Sequence, residues 1–111
     1  MVLVISERTL VNSILRNLKV LDSCYAFKVH GSLFGHPQPD IIGSYQGRAL
    51  AFEVKRPGTP KGVRAVPRIV QGKPTKLQDR ALEQWAAAGA ITGVVFSWEQ
   101  VKELLDAQKI G

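Results

Sequence analysis

Two carboxylates and one lysine are spaced in this sequence so that a single β-hairpin would bring them together. Asp40 opens an apolar run, and Glu53 and Lys55 lie at alternate positions near the end of a second run, Arg48–Arg56. Pairing of the two runs as antiparallel strands brings Asp40 close to Glu53. Two carboxylates in one small site are costly unless a cation compensates them, and hard oxygen ligands suit Mg²⁺. A lysine beside them can orient an attacking water and stabilise the charge of a phosphoryl transition state.

The run Arg48–Arg56 alternates between two kinds of side chain. In a strand, successive side chains point to opposite faces of the sheet. Small residues beside Glu53 predict room above the sheet for a ligand. An exposed ion pair between Glu53 and Lys55 is the alternative, because a Glu-x-Lys tripeptide is common by chance. One face carries Leu50, Phe52 and Val54 and belongs to the core, and the other carries Ala49, Ala51, Glu53 and Lys55.

Each of two predicted helices carries one polar side chain within its apolar stripe. A rotation of about 100° per residue places Glu7 at the centre of the stripe of the first helix and Gln78 on the apolar side of a later one. An amide buried without partners costs on the order of 1–3 kcal/mol, so Gln78 needs either a core partner or a functional site. For Glu7 the alternative is a first-turn acid that interacts favourably with the helix dipole while exposed to solvent.

Hydrophobic periodicity, caps and turn residues predict the elements that must position these side chains. Ser6 can cap the first helix, and Gln46-Gly47 is a probable hairpin turn. The predicted order is αβββαβα, a mixed sheet flanked by helices in an α/β or α+β fold, with an antiparallel hairpin and a last strand that enters through a crossover. The predicted elements are a helix from Ser6 to about Asp22, a strand 24–30, a loop 31–39, strands 41–45 and 48–56, an irregular segment 57–74, a helix from Thr75 to Ala88 that stops at Gly89, a strand 91–97 and a helix 98–108.

Positive charge is concentrated in one segment of the chain. The 111 residues carry a net charge of +6, yet residues 55–76 hold seven Lys and Arg and no acid, so the rest is close to neutral. This local excess predicts a polyanionic partner, nucleic acid before membrane, because phosphate neutralisation releases counterions. A solvated basic loop is the alternative. The predicted nucleic-acid-binding residues are Arg56, Lys61, Arg64, Arg68, Lys73 and Lys76.

Length and composition exclude several other classes of protein. A single domain, 1–111, can bury a core without a disulfide or a structural metal. Cys24 is the only cysteine, which excludes an internal disulfide and a multi-thiolate zinc site and predicts a cytoplasmic protein. A histidine metal site is disfavoured because the spacing of His30 and His36 fits neither a helix nor a strand. No apolar run approaches the roughly 18 residues needed to cross a bilayer, so no membrane partner is expected.

Together these motifs resemble a known nuclease family. Pro39-Asp40, followed after twelve residues by Glu53-Val54-Lys55, is similar to the PD-(D/E)xK nuclease motif. Further matches extend over nearly the whole chain, which resembles a stand-alone member of the VRR-NUC family of virus-type replication-repair nucleases. The matching segments are Ser6-Glu7, Gly35 through Ile41, Gly47-Arg48, Glu53 through Gly58, Gln78, Ala88-Gly89-Ala90 and Gly93-Val94-Val95.

The resemblance implies a PD-(D/E)xK restriction-endonuclease-like core and a role for each acidic residue. Asp40, Glu53 and the Val54 carbonyl would bind Mg²⁺ or Mn²⁺, and Lys55 would assist the attacking water. Glu7 would supply a further carboxylate, for a second metal or through a water.

The resemblance also accounts for the polar residues on apolar faces. Gln78 would correspond to the glutamine that the family keeps on the helix after the metal-binding strand, so that Glu7 and Gln78 both point inward toward the site. The long basic segment between Lys55 and Gln78 departs from the family pattern, so no contacts are carried over to it. The implied catalytic residues are Glu7, Asp40, Glu53, Lys55 and Gln78.

The activity implied by the resemblance is metal-dependent, structure-selective hydrolysis of DNA phosphodiester bonds. Stand-alone members resemble homodimeric resolvases of Holliday (four-way) junctions in phage or bacterial replication and repair, and a phage-encoded protein would act in the host cytoplasm. Two sites related by a twofold axis suit paired nicks. A flap or nicking nuclease is the alternative enzyme, and a non-catalytic nucleic-acid-binding module is the alternative of another class. An apolar stripe on the terminal helix could line the dimer interface, although core packing is its commoner use: Trp98, Val101, Leu104 and Leu105.

Overall fold

A mixed four-stranded sheet with three helices around it forms the described part of the chain. The computed structural model describes residues 6–29, 38–56 and 76–108. The strand order is β1-β2-β3-β4, with β1–β2 and β2–β3 antiparallel and β3–β4 parallel. The predicted element order, the antiparallel hairpin and the crossover into the last strand are therefore confirmed. The elements are α1 Glu7–Lys19, β1 Cys24–Lys28, β2 Ile41–Tyr45, β3 Arg48–Val54, α2 Lys76–Ala87, β4 Ile91–Val95 and α3 Trp98–Ala107.

The turn between β2 and β3 fixes the register of the hairpin. Gln46 and Gly47 both have positive φ angles, 50° and 85°, which is the backbone of a two-residue type I′ turn that matches the twist of the flanking strands. Tyr45 therefore pairs with Arg48, and Ile41 with Phe52. This register carries Asp40 to the level of Glu53, as predicted.

The helices end one to three residues earlier than predicted, and β4 also ends early. The Ser6 side chain accepts the Thr9 N–H at 3.1 Å and begins α1, as expected, but α1 ends at Lys19 rather than Asp22. The cause is a turn after the helix in which Ser23 has a φ of 57°. At the other end of the chain, the Ser97 side chain caps α3, so β4 stops at Val95 rather than continuing to residue 97.

Gly89 ends α2 as predicted. Its φ is +102°, its N–H donates to the Ala86 carbonyl, and the N–H of Ala90 donates to the Trp85 carbonyl, both at 3.0 Å. These two bonds define a Schellman motif, which satisfies carbonyls at the end of the helix. The predicted cap Thr75 lies outside the described residues, as do most of the predicted loop 31–39 and the predicted irregular segment 57–74.

One face of the sheet packs against α1 and α3 to form the core. Leu50, Phe52 and Val54 are fully buried on this face, as their alternation predicts. The terminal-helix stripe belongs to the same core: Val101 and Leu105 are buried, and Trp98 and Leu104 pack against them. This stripe therefore packs within the monomer, which is the commoner use considered above.

The strand β1 turns its aromatic residues away from that core. Ala26 is buried, whereas Tyr25 and Phe27 are 72% and 46% exposed. The predicted strand is present, with the small residue inside, but it ends at Lys28 rather than residue 30. No helix within the described residues is long and apolar enough to span a bilayer.

Candidate active site

Asp40 is held where the three antiparallel strands meet. It immediately precedes β2, and its backbone carbonyl accepts the Val29 N–H at 2.8 Å. Its carboxylate Oδ2 accepts the N–H of Val54 at 2.8 Å. The chain on both sides of β2 therefore orients Asp40 through main-chain donors, and its side chain occupies the position that a strand carbonyl would take in the β2–β3 ladder.

Pro39 explains why the ladder stops at this point. Ile41 pairs with Phe52, so the same register continued by two residues places Pro39 opposite Val54. A proline has no N–H to donate to the Val54 carbonyl. Because the N–H and C=O of one strand residue point to the same side, that carbonyl faces the β2 side of β3, where Asp40 accepts the Val54 N–H.

Glu53 is the buried carboxylate of the site. The residue is 2% exposed, and its Oε2 lies 3.4 Å from Nζ of Lys55. Burial is the main cause that raises the pKa of Glu53 to about 7, and the neighbouring Asp40 carboxylate and its hydrogen bond to Glu53 raise it further. The ion pair with Lys55 acts in the opposite direction but does not offset the other two. Glu53 is thus partly protonated near neutral pH.

The backbone of Lys55 is hydrogen-bonded to β4, on the side of β3 opposite to β2. Its backbone N–H donates to the Val95 carbonyl at 3.0 Å, which continues the parallel pairing with β4. Its side chain is only 15% exposed and returns to Glu53. The predicted convergence of Asp40, Glu53 and Lys55 is therefore present, with one side chain supplied from the start of β2 and two from the end of β3.

The small side chains beside Glu53 predicted open space above the sheet, but this surface is largely covered by neighbouring elements. Ala51 is fully buried, so the room predicted above this strip is filled at that position. The helix α2 packs against β3 and β4, and small side chains allow such close packing. The alternative of an exposed ion pair is also wrong, because Glu53 is buried and Lys55 nearly so.

Glu7 does not join the buried carboxylates. It lies in the first turn of α1 and its side chain is exposed, so the expectation that it points inward is wrong. The physical reason is that the first turn lies at the edge of the packed part of the helix, where Leu10 is only partly buried and Val11 is the first buried residue. Its position at the N-terminus instead suits the helix dipole.

The remaining predicted residues lie at the edge of the described structure or beyond it. Arg56 is exposed directly after the site. Lys76 begins α2 and Gln78 lies in its first turn, but their side chains are outside the described part. The other predicted nucleic-acid-binding residues and both histidines also lie outside it: Lys61, Arg64, Arg68, Lys73, His30 and His36.

The donor set of the site fits a hard divalent cation. The described residues contain no cluster of three or more His, Cys, Asp and Glu side chains. Mg²⁺, however, is bound in phosphoryl-transfer sites through one or two carboxylates plus waters and substrate phosphates. Asp40, Glu53 and the Val54 carbonyl supply such oxygens, and burial with the neighbouring Asp40 carboxylate raises the pKa of Glu53 despite the ion pair with Lys55.

Two features of the site were missed from the sequence. The hydrogen bond from Val54 to the Asp40 carboxylate follows from where the strand pairing stops, and Pro39 was the signal for it. The second is that the exposed aromatics Tyr25 and Phe27 share the sheet face of Glu53, which follows only from the paired register of the strands.

No protein-family model, curated protein or solved structure matches the chain.

Proposed function

We propose that this protein is a divalent-metal-dependent DNA endonuclease that hydrolyses phosphodiester bonds, with a PD-(D/E)xK core of the VRR-NUC type. The observation that carries the proposal is the convergence of Asp40, Glu53 and Lys55 at the end of the β2–β3 hairpin. Each of the three is held by neighbours within the fold, two of them by backbone hydrogen bonds. Such fixed geometry is what hydrolysis needs and what a surface ion pair does not have.

Each residue has a role that its surroundings support. Asp40, Glu53 and the Val54 carbonyl would hold Mg²⁺ or Mn²⁺. The ion, when bound, polarises the scissile phosphate and lowers the pKa of its water. Lys55 donates from its ammonium group toward the reacting centre, where it orients the water and stabilises charge as it develops. The hydrogen bond from Val54 keeps Asp40 from rotating away from that centre.

The electrostatics of the carboxyl pair favour this role over that of a simple binding module. A surface meant only to bind phosphate gains nothing from two carboxylates, one of them buried, because they repel the ligand. Burial and the neighbouring Asp40 carboxylate raise the pKa of Glu53 to about 7, so Glu53 keeps its proton up to about that pH. A cation that replaces the proton removes this repulsion and leaves a positively charged surface for the phosphate.

The substrate proposed is branched DNA, with the four-way junction first, and the acting form a homodimer. A dimer presents two sites related by a twofold axis, which suits paired cuts in a symmetric junction. Sedimentation of the purified protein tests this. A strictly monomeric protein would favour a flap or nicking nuclease instead.

Labelled four-way junction, flap, splayed-arm, duplex and single-stranded DNA, incubated with Mg²⁺ or Mn²⁺ and in chelator, test the activity. We expect cleavage only with metal, and a loss of roughly 100-fold or more for Lys55→Ala, since one lost transition-state contact costs about that much. Lys102→Ala is the matched control, because Lys102 is an exposed α3 lysine that pairs with Asp106.

The outcomes separate the alternatives. Metal-dependent cleavage that Lys55→Ala abolishes and Lys102→Ala preserves supports the proposal. DNA binding that is equal with metal and with chelator, without any product, would identify a non-catalytic binding module. Cleavage at an unchanged rate by Lys55→Ala would remove Lys55 from the mechanism.

A further inference from the structure

Two exposed aromatic rings lie on the same face of the sheet as the candidate site. Tyr25 pairs with Ser44, and Ser44 with Ala49. Phe27 pairs with Ile42, and Ile42 with Ala51. Directly paired residues point to one face, and Glu53 follows Ala51 at the next same-face position along β3. The rings are therefore two strands, or about 10 Å, to the side of the strand that carries Glu53.

Both rings are exposed to solvent. Tyr25 and Phe27 are 72% and 46% exposed, while Ala26 between them is buried. Their centroids are 5.9 Å apart with an interplanar angle of 61°, so they contact edge to face. Ser44 and Ala49, the next residues across the sheet from Tyr25, are small. The result is a low aromatic surface that extends from the edge of the sheet toward the site.

We infer that Tyr25 and Phe27 form a stacking platform for unpaired nucleobases of DNA beside the candidate active site. The inference deepens the proposed function and rests on it for the identity of the ligand. Aromatic side chains on an exposed sheet bind single strands because every base has a face that can stack on a ring. The platform selects DNA in which bases next to the cut are unpaired, as at a flap, a splayed arm or an opened junction.

Charge complementarity favours nucleic acid over a second copy of the chain on this surface. The chain carries a net charge of +6, and its positive charge is concentrated in residues 55–76, which begin at Lys55 of the site. Arg56 is exposed directly after it. A second copy of the chain carries the same positive charge, whereas a DNA strand brings phosphates for the basic residues and bases for the rings.

Binding of labelled oligo(dT) and of a blunt duplex of equal length, measured by fluorescence anisotropy in chelator, tests the platform without requiring cleavage. The variants are Tyr25→Leu, Phe27→Leu and the double variant, which keep apolar side chains but remove the rings. We expect each loss to weaken oligo(dT) binding roughly tenfold, with duplex binding changed by less than about threefold. There are two controls, which should both bind as wild type. Tyr25→Phe keeps the ring, and Val20→Ala changes an exposed apolar residue at the C-cap of α1.

Two binding results would overturn the platform: no loss of oligo(dT) binding in the leucine variants, or an equal loss for oligo(dT) and duplex. A change in sedimentation of the leucine variants would also overturn it, because it would show that the face is a protein interface. Both side chains are exposed, so the variants should fold, and thermal denaturation checks this. If the double variant does not fold, the single variants decide.

Failure of the platform is distinguishable from failure of the proposed function. Metal-dependent cleavage that depends on Lys55 but is accompanied by unchanged oligo(dT) binding in the leucine variants removes only the platform. Absence of cleavage on every substrate removes the nuclease, and the chelator experiment then still reports whether the rings bind bases.

Discussion

Burial and a neighbouring carboxylate act on Glu53 in the same direction. Both disfavour its charged form, and together they raise its pKa to about 7, above its ordinary value of 4.5. Between these two values the folded protein binds a proton that the unfolded chain releases. Stability gained from this proton is present at low pH and is lost as the pH rises through about 7.

This asymmetry predicts a pH-dependent stability that belongs to Glu53. In chelator, we expect the free energy of unfolding of the wild type to fall between about pH 5 and about pH 8 relative to Glu53→Gln, by on the order of 2 kcal/mol. Urea unfolding at both pH values measures it. Glu83→Gln, at an exposed glutamate of α2, is the control and should show the same pH dependence as the wild type. If Glu53→Gln also shows the wild-type pH dependence, the pKa of Glu53 is not raised in the folded protein.

A cation should relieve the same repulsion. At about pH 8, Mg²⁺ or Mn²⁺ at about 100 times its Kd should add about 2.7 kcal/mol, which raises the melting temperature of a chain of this size by roughly 10 °C. Asp40→Asn keeps an oxygen that can accept the Val54 N–H but loses the charge, and we expect no such shift for it.

Glu83→Gln should retain the full shift in melting temperature. A shift of equal size in Asp40→Asn would mean that the ion binds elsewhere in the protein.

At the scale of elements, the close approach of β1 and β2 positions the aromatic face. A Cβ at position 43 would lie 2.1 Å from the Tyr25 carbonyl oxygen and 2.6 Å from Cα of Ala26. Both are backbone atoms that belong to β1. Only glycine lets the two strands pair at this distance, so Gly43 is what seats β1 against the hairpin.

Replacement of this glycine should therefore separate the two strands. We expect Gly43→Ala to lower the free energy of unfolding by about 2–3 kcal/mol, because the backbone of β1 must shift. Ser44→Ala, at the exposed neighbouring position on β2, should change it by less than about 0.5 kcal/mol. Denaturant unfolding compares the two, and equal stabilities would show that β1 can shift without cost.

The hairpin shows what could be predicted from the sequence. A two-residue turn at Gln46-Gly47 fixes the register of β2 and β3, and strand alternation then decides which side chains share a face. This is why Asp40, Glu53 and Lys55 could be placed together. The caps at Ser6 and Gly89 were predictable for the same reason, since each depends on a few adjacent residues.

Features that depend on tertiary contacts were not predictable in this way. A helical wheel treats the first turn of α1 like the others, yet full burial starts only at Val11, and Glu7 is left in solvent. The cover over Ala51 comes from packing between elements distant in sequence. The end of β3 at Val54 depends on the Asp40 side chain, which takes the place of a strand partner.

At the scale of the whole molecule, the distribution of charge predicts how DNA binding responds to salt. Each phosphate neutralised by Lys or Arg contributes about −0.9 to the slope of log K against log salt concentration. We expect Arg64→Gln with Arg68→Gln to weaken DNA binding and to flatten this slope by about two. Fluorescence anisotropy across a salt series measures the slope.

The matched control for this prediction removes the same charge from a different surface. Arg8 and Arg16 are exposed on α1, which packs on the opposite side of the sheet from Glu53. Their replacement by glutamine should leave the slope unchanged. Equal flattening in both double variants would show that net charge, rather than the basic segment, controls binding.

The origin of the three site residues in one short stretch has a consequence for how the chain folds. Asp40 and Lys55 are joined by a stretch of chain that reverses through a two-residue turn. The loop-closure entropy of bringing the two carboxylates together is therefore that of a short hairpin, among the smallest that a folding chain meets. The pairing of β3 with β4 joins residues about 40 positions apart in sequence, so these contacts have a much larger sequence separation. The local hairpin thus brings the two carboxylates together, and the later pairing with β4 adds the contact that anchors Lys55.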